Sequence, residues 1–323
     1  MKKYADKKIV VIGGGTGLST MLRGIKKYTE NITAIVTVAD DGGGSGILRD
    51  EMGILPPGDI RNCILALAET EPLMEKLLNY RFSEGSLTGQ SFGNLFLAAM
   101  NGVCGNFEEA VKNVSDVLKV KGTVLPVTLD DVHINAHLYD GNVIKGECNI
   151  SAGIKTGDKR IKRIELVPED ATILPDAKMA IDEADLIILG PGSIYTSVIP
   201  NLIVQGVPEA IKNAPAKVVY VCNIMSQPGE SDDMTAFDHV RAIYNHSSEG
   251  IIDICIANVQ ELPENMKKSY KLENSSKVLV DEKLFKENGI KLITGEFISV
   301  KSNKYVRHNY DKLAKVIFEE CID

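Results

Sequence analysis

Three short stretches of this chain hold residue types that could do chemistry at a spacing that matters. The first is Gly13-Gly14-Gly15-Thr16-Gly17-Leu18-Ser19-Thr20, directly behind the apolar run Ile9-Val10-Val11-Ile12. A buried strand that ends in a glycine turn and opens a helix aims several backbone N–H groups, and the positive end of a helix dipole, at one point. An anion is stabilised there without any charged side chain, and a phosphate or pyrophosphate is the expected occupant. The competing reading is a tight turn with no ligand. Gly13 and Gly15 fit the dinucleotide fingerprint, but Leu18 stands at its sixth position, and no Gly-Lys-Ser/Thr follows as a P-loop requires.

The second stretch is Asp40-Asp41, followed by Gly42-Gly43-Gly44-Ser45-Gly46 at the end of the β-branched run 32–38. Ligands of open α/β sheets bind at the carboxyl ends of strands. The Asp pair therefore falls where a ribose-reading acid would stand, and two adjacent carboxylates also suit a magnesium ion bridging phosphates. An Asp that caps a turn is the plainer alternative. The third stretch is Gly190-Pro191-Gly192-Ser193-Ile194-Tyr195-Thr196-Ser197, again behind an apolar run, 184–189. Ser193, Thr196 and Ser197 place hydroxyls beside backbone donors, a cradle for a phosphate or a sugar.

Two helix starts add candidates. In Pro56-Pro57-Gly58-Asp59-Ile60-Arg61-Asn62, Asp59 reads as the N-cap, and Arg61 sits one turn in with Asn62 beside it. A guanidinium there is a partner for phosphate or carboxylate, or simply a surface arginine. Ser91 and Asn94 precede the apolar helix 95–100 and read as ligand contacts or as capping residues.

The elements that must position these residues are legible from periodicity. Near-continuous apolar runs at 9–12, 32–38, 184–189, 217–222 and 251–257 read as parallel buried strands, with helices between them. Runs 277–280 and 290–293 read as edge strands, and a last amphipathic helix as 313–321. Between about 122 and 168 the period becomes two: Val132, Ile134, Ala136 and Leu138 alternate with His133, Asn135, His137 and Tyr139, and Asp140-Gly141 turns a hairpin. The two histidines stand ~13 Å apart along a strand, too far to share one ion. The expected architecture is a single α/β domain over 1–323: a Rossmann-like, doubly wound, mostly parallel sheet with an antiparallel β insertion at about 122–168. His239 reads as a surface or core residue of its helix.

Composition narrows the function. A formal charge of −8 argues against non-specific nucleic-acid binding, so an anionic ligand must be held by local dipoles and a few arginines. The six cysteines are scattered without a CxxC pair, which points to neither a disulfide framework nor a zinc site. No apolar run approaches the ~18 residues of a membrane span. The N-terminus leads straight into a strand rather than resembling a signal peptide, so a cytoplasmic protein, and a homo-oligomer, are expected.

The motifs taken together resemble a known family. Gly13-Gly14-Gly15-Thr16-Gly17-Leu18, Asp40-Asp41-Gly42-Gly43, Pro56–Asn62, Gly93-Asn94 and Leu189–Ser197 occur in the order and spacing of the YvcK-type gluconeogenesis factors, relatives of the CofD 2-phospho-L-lactate transferases. The resemblance implies a Rossmann-like core that binds UDP-sugars, notably UDP-N-acetylglucosamine. It also implies a regulatory role through protein partners in peptidoglycan synthesis and cell shape on gluconeogenic carbon. It makes Tyr270 and Arg307 candidate UDP-sugar contacts. The CofD relatives instead move a phospholactyl group from a guanine-nucleotide donor (a GDP-like product) with magnesium. In that case Asp40, Asp41 and Asn94 would position cation and acceptor. Gln90 stands where many members carry His, which weakens acid/base catalysis there. A nucleotide-sugar sensor is thus expected ahead of a transferase, and both ahead of an NAD-dependent oxidoreductase. No cofactor is required by the first reading.

Overall fold

The computed structural model describes residues 3–153, 160–272, 274–299 and 305–322. Its strands in chain order are β1 (Ile9–Gly13), β2 (Ile32–Val36), β3 (Thr123–Pro126), β4 (His133–Leu138), β5 (Val143–Lys145), β6 (Ile161–Val167), β7 (Leu186–Leu189), β8 (Lys217–Val221), β9 (Ile254–Asn258), β10 (Lys291–Gly295), β11 (Ile298–Ser299) and β12 (Arg307–His308). Seven of them form one sheet in the order β10-β9-β8-β7-β1-β2-β3, and every neighbouring pair in it is parallel. β1, β7 and β9 are buried along their whole length. That explains why they read as unbroken apolar runs: helices cover both faces of a parallel sheet.

The chain builds from β1 outward through β2 to β3, then returns to the other side of β1 and builds outward from β7 to β10. The winding therefore reverses between β1 and β7, which pair in register from Ile9 opposite Leu186 to Ile12 opposite Leu189. The connections leave a reversal point in opposite directions, so a crevice opens at the carboxyl ends of its strands. Gly13 and Gly190 stand at that edge.

Helix α1 (Gly15–Ile25) follows β1 and buries Leu18, Met21, Leu22 and Ile25, the three-and-four spacing of an amphipathic face. Leu18 is fully buried, and its Cδ1 would lie 3.4 Å from a Cβ placed on Gly13. The sixth position of the loop is thus a core side chain supporting the turn from below. Between β2 and β3 run α2 (Gly43–Met52), α3 (Gly58–Leu67), α4 (Pro72–Leu78), α5 (Phe92–Cys104) and α6 (Phe107–Val117).

The insertion is a three-stranded antiparallel sheet, β5-β4-β6, with the short helix α7 (Glu147–Ser151) after β5. Ile134, Ala136 and Leu138 face inward while His133, Asn135 and His137 are half-buried, and His137 Nε2 lies 2.5 Å from Glu165 Oε2. The insertion starts later than its sequence suggests. Thr123–Pro126 pairs in parallel with β2 and closes the main sheet, because the pairing partner and not the local pattern assigns an edge strand. Likewise 277–280 is no strand: Lys277 makes only an isolated bridge to Met225. One hydrophobic cluster runs from the main sheet through Ile134, Ile150 and Ile164 of the insertion, and a smaller one gathers Ile224, Leu262, Met266, Tyr270, Ile298 and Val306. Among the described residues no helix is long and apolar enough to cross a membrane.

The C-terminal helix Tyr310–Glu320 packs on α1 at Gly24, where an added Cβ would fall on the Tyr310 carbonyl. Helix propensity alone would favour alanine there by about 1 kcal/mol. Overpacking against backbone costs about 1–3 kcal/mol and should win. Gly24→Ala is therefore expected to lower the urea-unfolding free energy, and a more stable variant would refute this packing.

Candidate functional site

The crevice between the β1 and β7 loops is a cleft of about 420 Å³. One wall is the start of α1. Gly14 caps it without a side-chain bond, and no acidic residue occupies its first turn. The Gly15 N–H is taken by Asp59 Oδ2 at 2.7 Å. The Thr16 and Gly17 N–H groups have no acceptor within their helix, as at any helix start, and both residues line the cleft. The first loop thus keeps two amides and a helix dipole for an anion, and Asp59 neutralises the third.

The floor is the second glycine loop. A Cβ on Gly17 would sit 2.5 Å from Pro191 O, and one on Gly192 would sit 3.1 Å from Gly14 O, so glycine is what lets the two loops touch. Much of the donor capacity of this loop is spent on holding it. Gly190 N–H donates to Ile12 O at 3.0 Å. Gly192 N–H donates to Asn223 Oδ1 at 3.1 Å, and Asn223 Nδ2 returns a bond to Gly192 O at 2.7 Å. The hydroxyl cradle expected at Ser193 and Thr196 is also directed elsewhere. Both hydroxyls donate to the buried Glu230 carboxylate, which Ser151 Oγ also reaches at 3.4 Å. Ser197 remains on the cleft surface.

The roof comes from the smaller hydrophobic cluster. Tyr270 Oη accepts from the Val306 N–H at 2.6 Å, tying the helix Glu264–Leu272 to β12. Arg307 is exposed, donates to Val306 O at 3.2 Å, and lies over the Tyr305 ring with its guanidinium carbon 5.4 Å from the ring centre. Among the described lining residues it is the one permanent cation. His308 also lines the cleft, but burial pushes its pKa down to about 4 and keeps it neutral. At the far end stand Glu147 and Ser151 of α7. Burial, then the nearby Asp40, Glu230 and Asp41 carboxylates, raise Glu147 to about 7 against a Ser151 bond that lowers it; burial raises Glu230 to about 7 as well.

The remaining predicted residues form a second polar group beneath α1. Asp40 Oδ1 accepts the Gly42 N–H at 2.9 Å and so closes the turn ahead of α2, the plainer alternative, while Asp41 Oδ1 accepts the Cys148 N–H at 2.7 Å in the first turn of α7. Among the described residues no cluster of three or more His, Cys, Asp or Glu side chains is arranged to hold a metal ion. Arg61 donates to Ser91 Oγ at 2.7 Å and to Asn62 Oδ1 at 2.6 Å, and neither it nor Asn62 lines the cleft. Ser91 accepts the Asn94 N–H at 3.2 Å as the cap of α5, and Asn94 reaches Ser45 Oγ at 3.5 Å. Asp59 does not cap α3, whose cap is Pro57; from the first turn it crosses to α1. Buried completely, its carboxyl is raised to about 6, and it joins this group to the α1 start, as Asp41 joins it to α7. Gly13, Gly14, Leu18 and Gly190 support the loops without lining the cleft. His239 is a core residue whose Nδ1 meets Thr235 O at 2.8 Å.

With this geometry in place, comparison with known proteins is decisive for kinship: residues 9–298 match the family described as 2-phospho-L-lactate transferase CofD. The chain belongs to the CofD family. It is 57% identical over 320 residues to a protein of Thermoanaerobacterium thermosulfurigenes, covering 98% of both chains. It is 47% identical to a protein of Bacillus subtilis named gluconeogenesis factor, covering 97% of each chain. A crystal structure of a Bacillus halodurans protein superimposes with a TM-score of 0.92 at 45% identity, over 97% of this chain and 99% of that one.

Glu147 and Gln227, which line the cleft, carry no local signature in the sequence; only the fold brings them there. The buried acids make stability depend on pH. Glu230 has a folded pKa of about 7 against 4.5 unfolded, so its stabilising contribution is full below 4.5 and lost as pH rises through 7. Between pH 6 and 8 that loss is about 1 kcal/mol. Glu230→Gln should shrink the fall in urea-unfolding free energy over this interval by that amount, and an unchanged slope would remove Glu230 as its source.

Proposed function

We propose that this chain is a nucleotide-sugar-binding regulatory protein, taking a ligand of the UDP-N-acetylglucosamine kind in the cleft between the two glycine loops. The observation that carries the reading is the cleft itself. A helix start that Asp59 engages only at Gly15, leaving the Thr16 and Gly17 amides without an intrahelical acceptor, faces it at the reversal point of the sheet, and a single arginine, Arg307, stands on its roof. Dipole and guanidinium suit a diphosphate, and the volume is ordinary for a small-molecule site. Support for regulation comes from relatives named gluconeogenesis factor and from the Asp40 and Asp41 carboxylates, which are engaged by backbone in holding the fold. Ligand binding would bias the roof formed by β12 and the helix Glu264–Leu272, a surface that partner proteins in the cytoplasm would read to adjust cell-wall synthesis during growth on gluconeogenic carbon.

A second reading has its own support. The match to the transferase family, together with Arg61 Nε, Gln90 Oε1 and Asn94 Oδ1 buried without protein partners, favours an acceptor site beneath α1. Turnover of a phospholactyl-nucleotide with a deazaflavin acceptor would establish it and displace the sensor reading. Titration calorimetry with UDP-N-acetylglucosamine tests the main proposal. Arg307→Ala is expected to weaken binding roughly 10- to 100-fold, the range for one lost charged hydrogen bond, with little change in melting temperature because the side chain is exposed. Equal affinity would take Arg307 out of the site, and no binding by the native chain would refute the reading.

A further inference from the structure

The cleft is polarised. The side formed by α1 and β12 offers donors: the Thr16 and Gly17 amides and the Arg307 guanidinium. The other side offers acceptors. There α7 of the insertion meets the loop after β8: a Cβ on Gly153 would lie 3.1 Å from Pro228 O, and Ser151 Oγ reaches Glu230 Oε1 at 3.4 Å. Glu147 lines the cleft at this end, with Ser151 Oγ donating to its Oε1 at 2.7 Å. Gln227, another lining residue, has a buried side-chain carbonyl oxygen without a protein partner.

Of the carboxylates around the cleft, Glu147 is the one placed to meet a ligand. Glu230 is almost wholly buried and engaged by Ser193, Thr196 and Ser151. Asp59 is occupied by Gly15, Asp40 by the Gly42 N–H of its own turn, and Asp41 by the Cys148 N–H of α7. An acid in a cleft suited to anions opposes a phosphate placed against it. It favours a ligand whose portion beyond the phosphates carries O–H or N–H donors. The pKa near 7 makes this tolerable, since near neutrality the group exists in both forms and its charge cost is partial.

We propose that Glu147 is a specificity-determining residue of the cleft, accepting a hydrogen bond from a hydroxyl or amide of the ligand's sugar and so distinguishing nucleoside diphosphate sugars from the bare nucleoside diphosphate. The inference rests on the nucleotide-sugar reading above. It adds that the antiparallel insertion, not the Rossmann-like core, supplies the selection.

Calorimetric titration of the full chain and of Glu147→Ala and Glu147→Gln with UDP-N-acetylglucosamine, UDP-glucose and UDP tests it. Glu147→Ala is expected to weaken both UDP-sugars about tenfold and leave UDP unchanged, the scale of one lost charged hydrogen bond. Glu147→Gln, nearly isosteric and still an acceptor, is expected to recover part of the loss, and it carries the test if the alanine variant folds poorly. A parallel loss for UDP, or no loss for the sugars, would overturn the proposal while leaving the nucleotide-sugar reading intact. Failure of the native chain to bind any of the three would overturn both.

Discussion

The contact on which the rest of this structure depends is the approach of two glycine loops at the reversal point of the sheet. Gly17 lies so close to the Pro191 carbonyl, and Gly192 to the Gly14 carbonyl, that a methyl group at Gly17 would collide with backbone. Two consequences follow. The start of α1 is brought to the edge of the cleft with only its Gly15 amide taken, by Asp59, and the β7 loop is pulled down onto β1 and β8 through Gly190 and Asn223. The donor side of the cleft therefore arises from backbone close-packing, with permanent positive charge among the described lining residues entering through one arginine.

Around that contact the molecule stores a layer of buried carboxyls. Asp59 links the α1 start to the polar residues of α2, α3 and α5, while Glu147 and Glu230 link the insertion to the floor of the cleft. Burial raises all three, so part of this layer is neutral at physiological pH. Of these three carboxyls only Glu147 lines the cleft, while Asp59 and Glu230 are held by protein donors away from its lining. The adjacent aspartates, so prominent in the chain, are taken up by backbone: Asp40 closes a turn at Gly42 and Asp41 accepts from the first turn of α7.

Much of the architecture was legible before any coordinates. The buried parallel strands announce themselves because both faces are apolar, and the insertion because its period is two. The ends proved harder. Thr123–Pro126 and 277–280 look alike as short apolar runs, yet only the first finds a partner strand. Among the site residues, Gly15, Thr16, Gly17, Pro191, Gly192, Ser193, Thr196, Ser197, Tyr270 and Arg307 do line one cleft. Arg61, Asn62, Ser91 and Asn94 form a separate group, because the helices that carry them pack behind Asp59.

By itself the chain determined a doubly wound sheet, glycine turns at its carboxyl edge and kinship with the CofD family, since each is written in residues adjacent along the backbone. Tertiary structure decided which amides stay open, which hydroxyls turn inward to Glu230, and that Glu147 enters the cleft at all. Those outcomes turn on partners tens to more than a hundred residues apart, such as Asp59 with Gly15 and Cys148 with Asp41, and no local pattern encodes which buried donor will reach a given acceptor first.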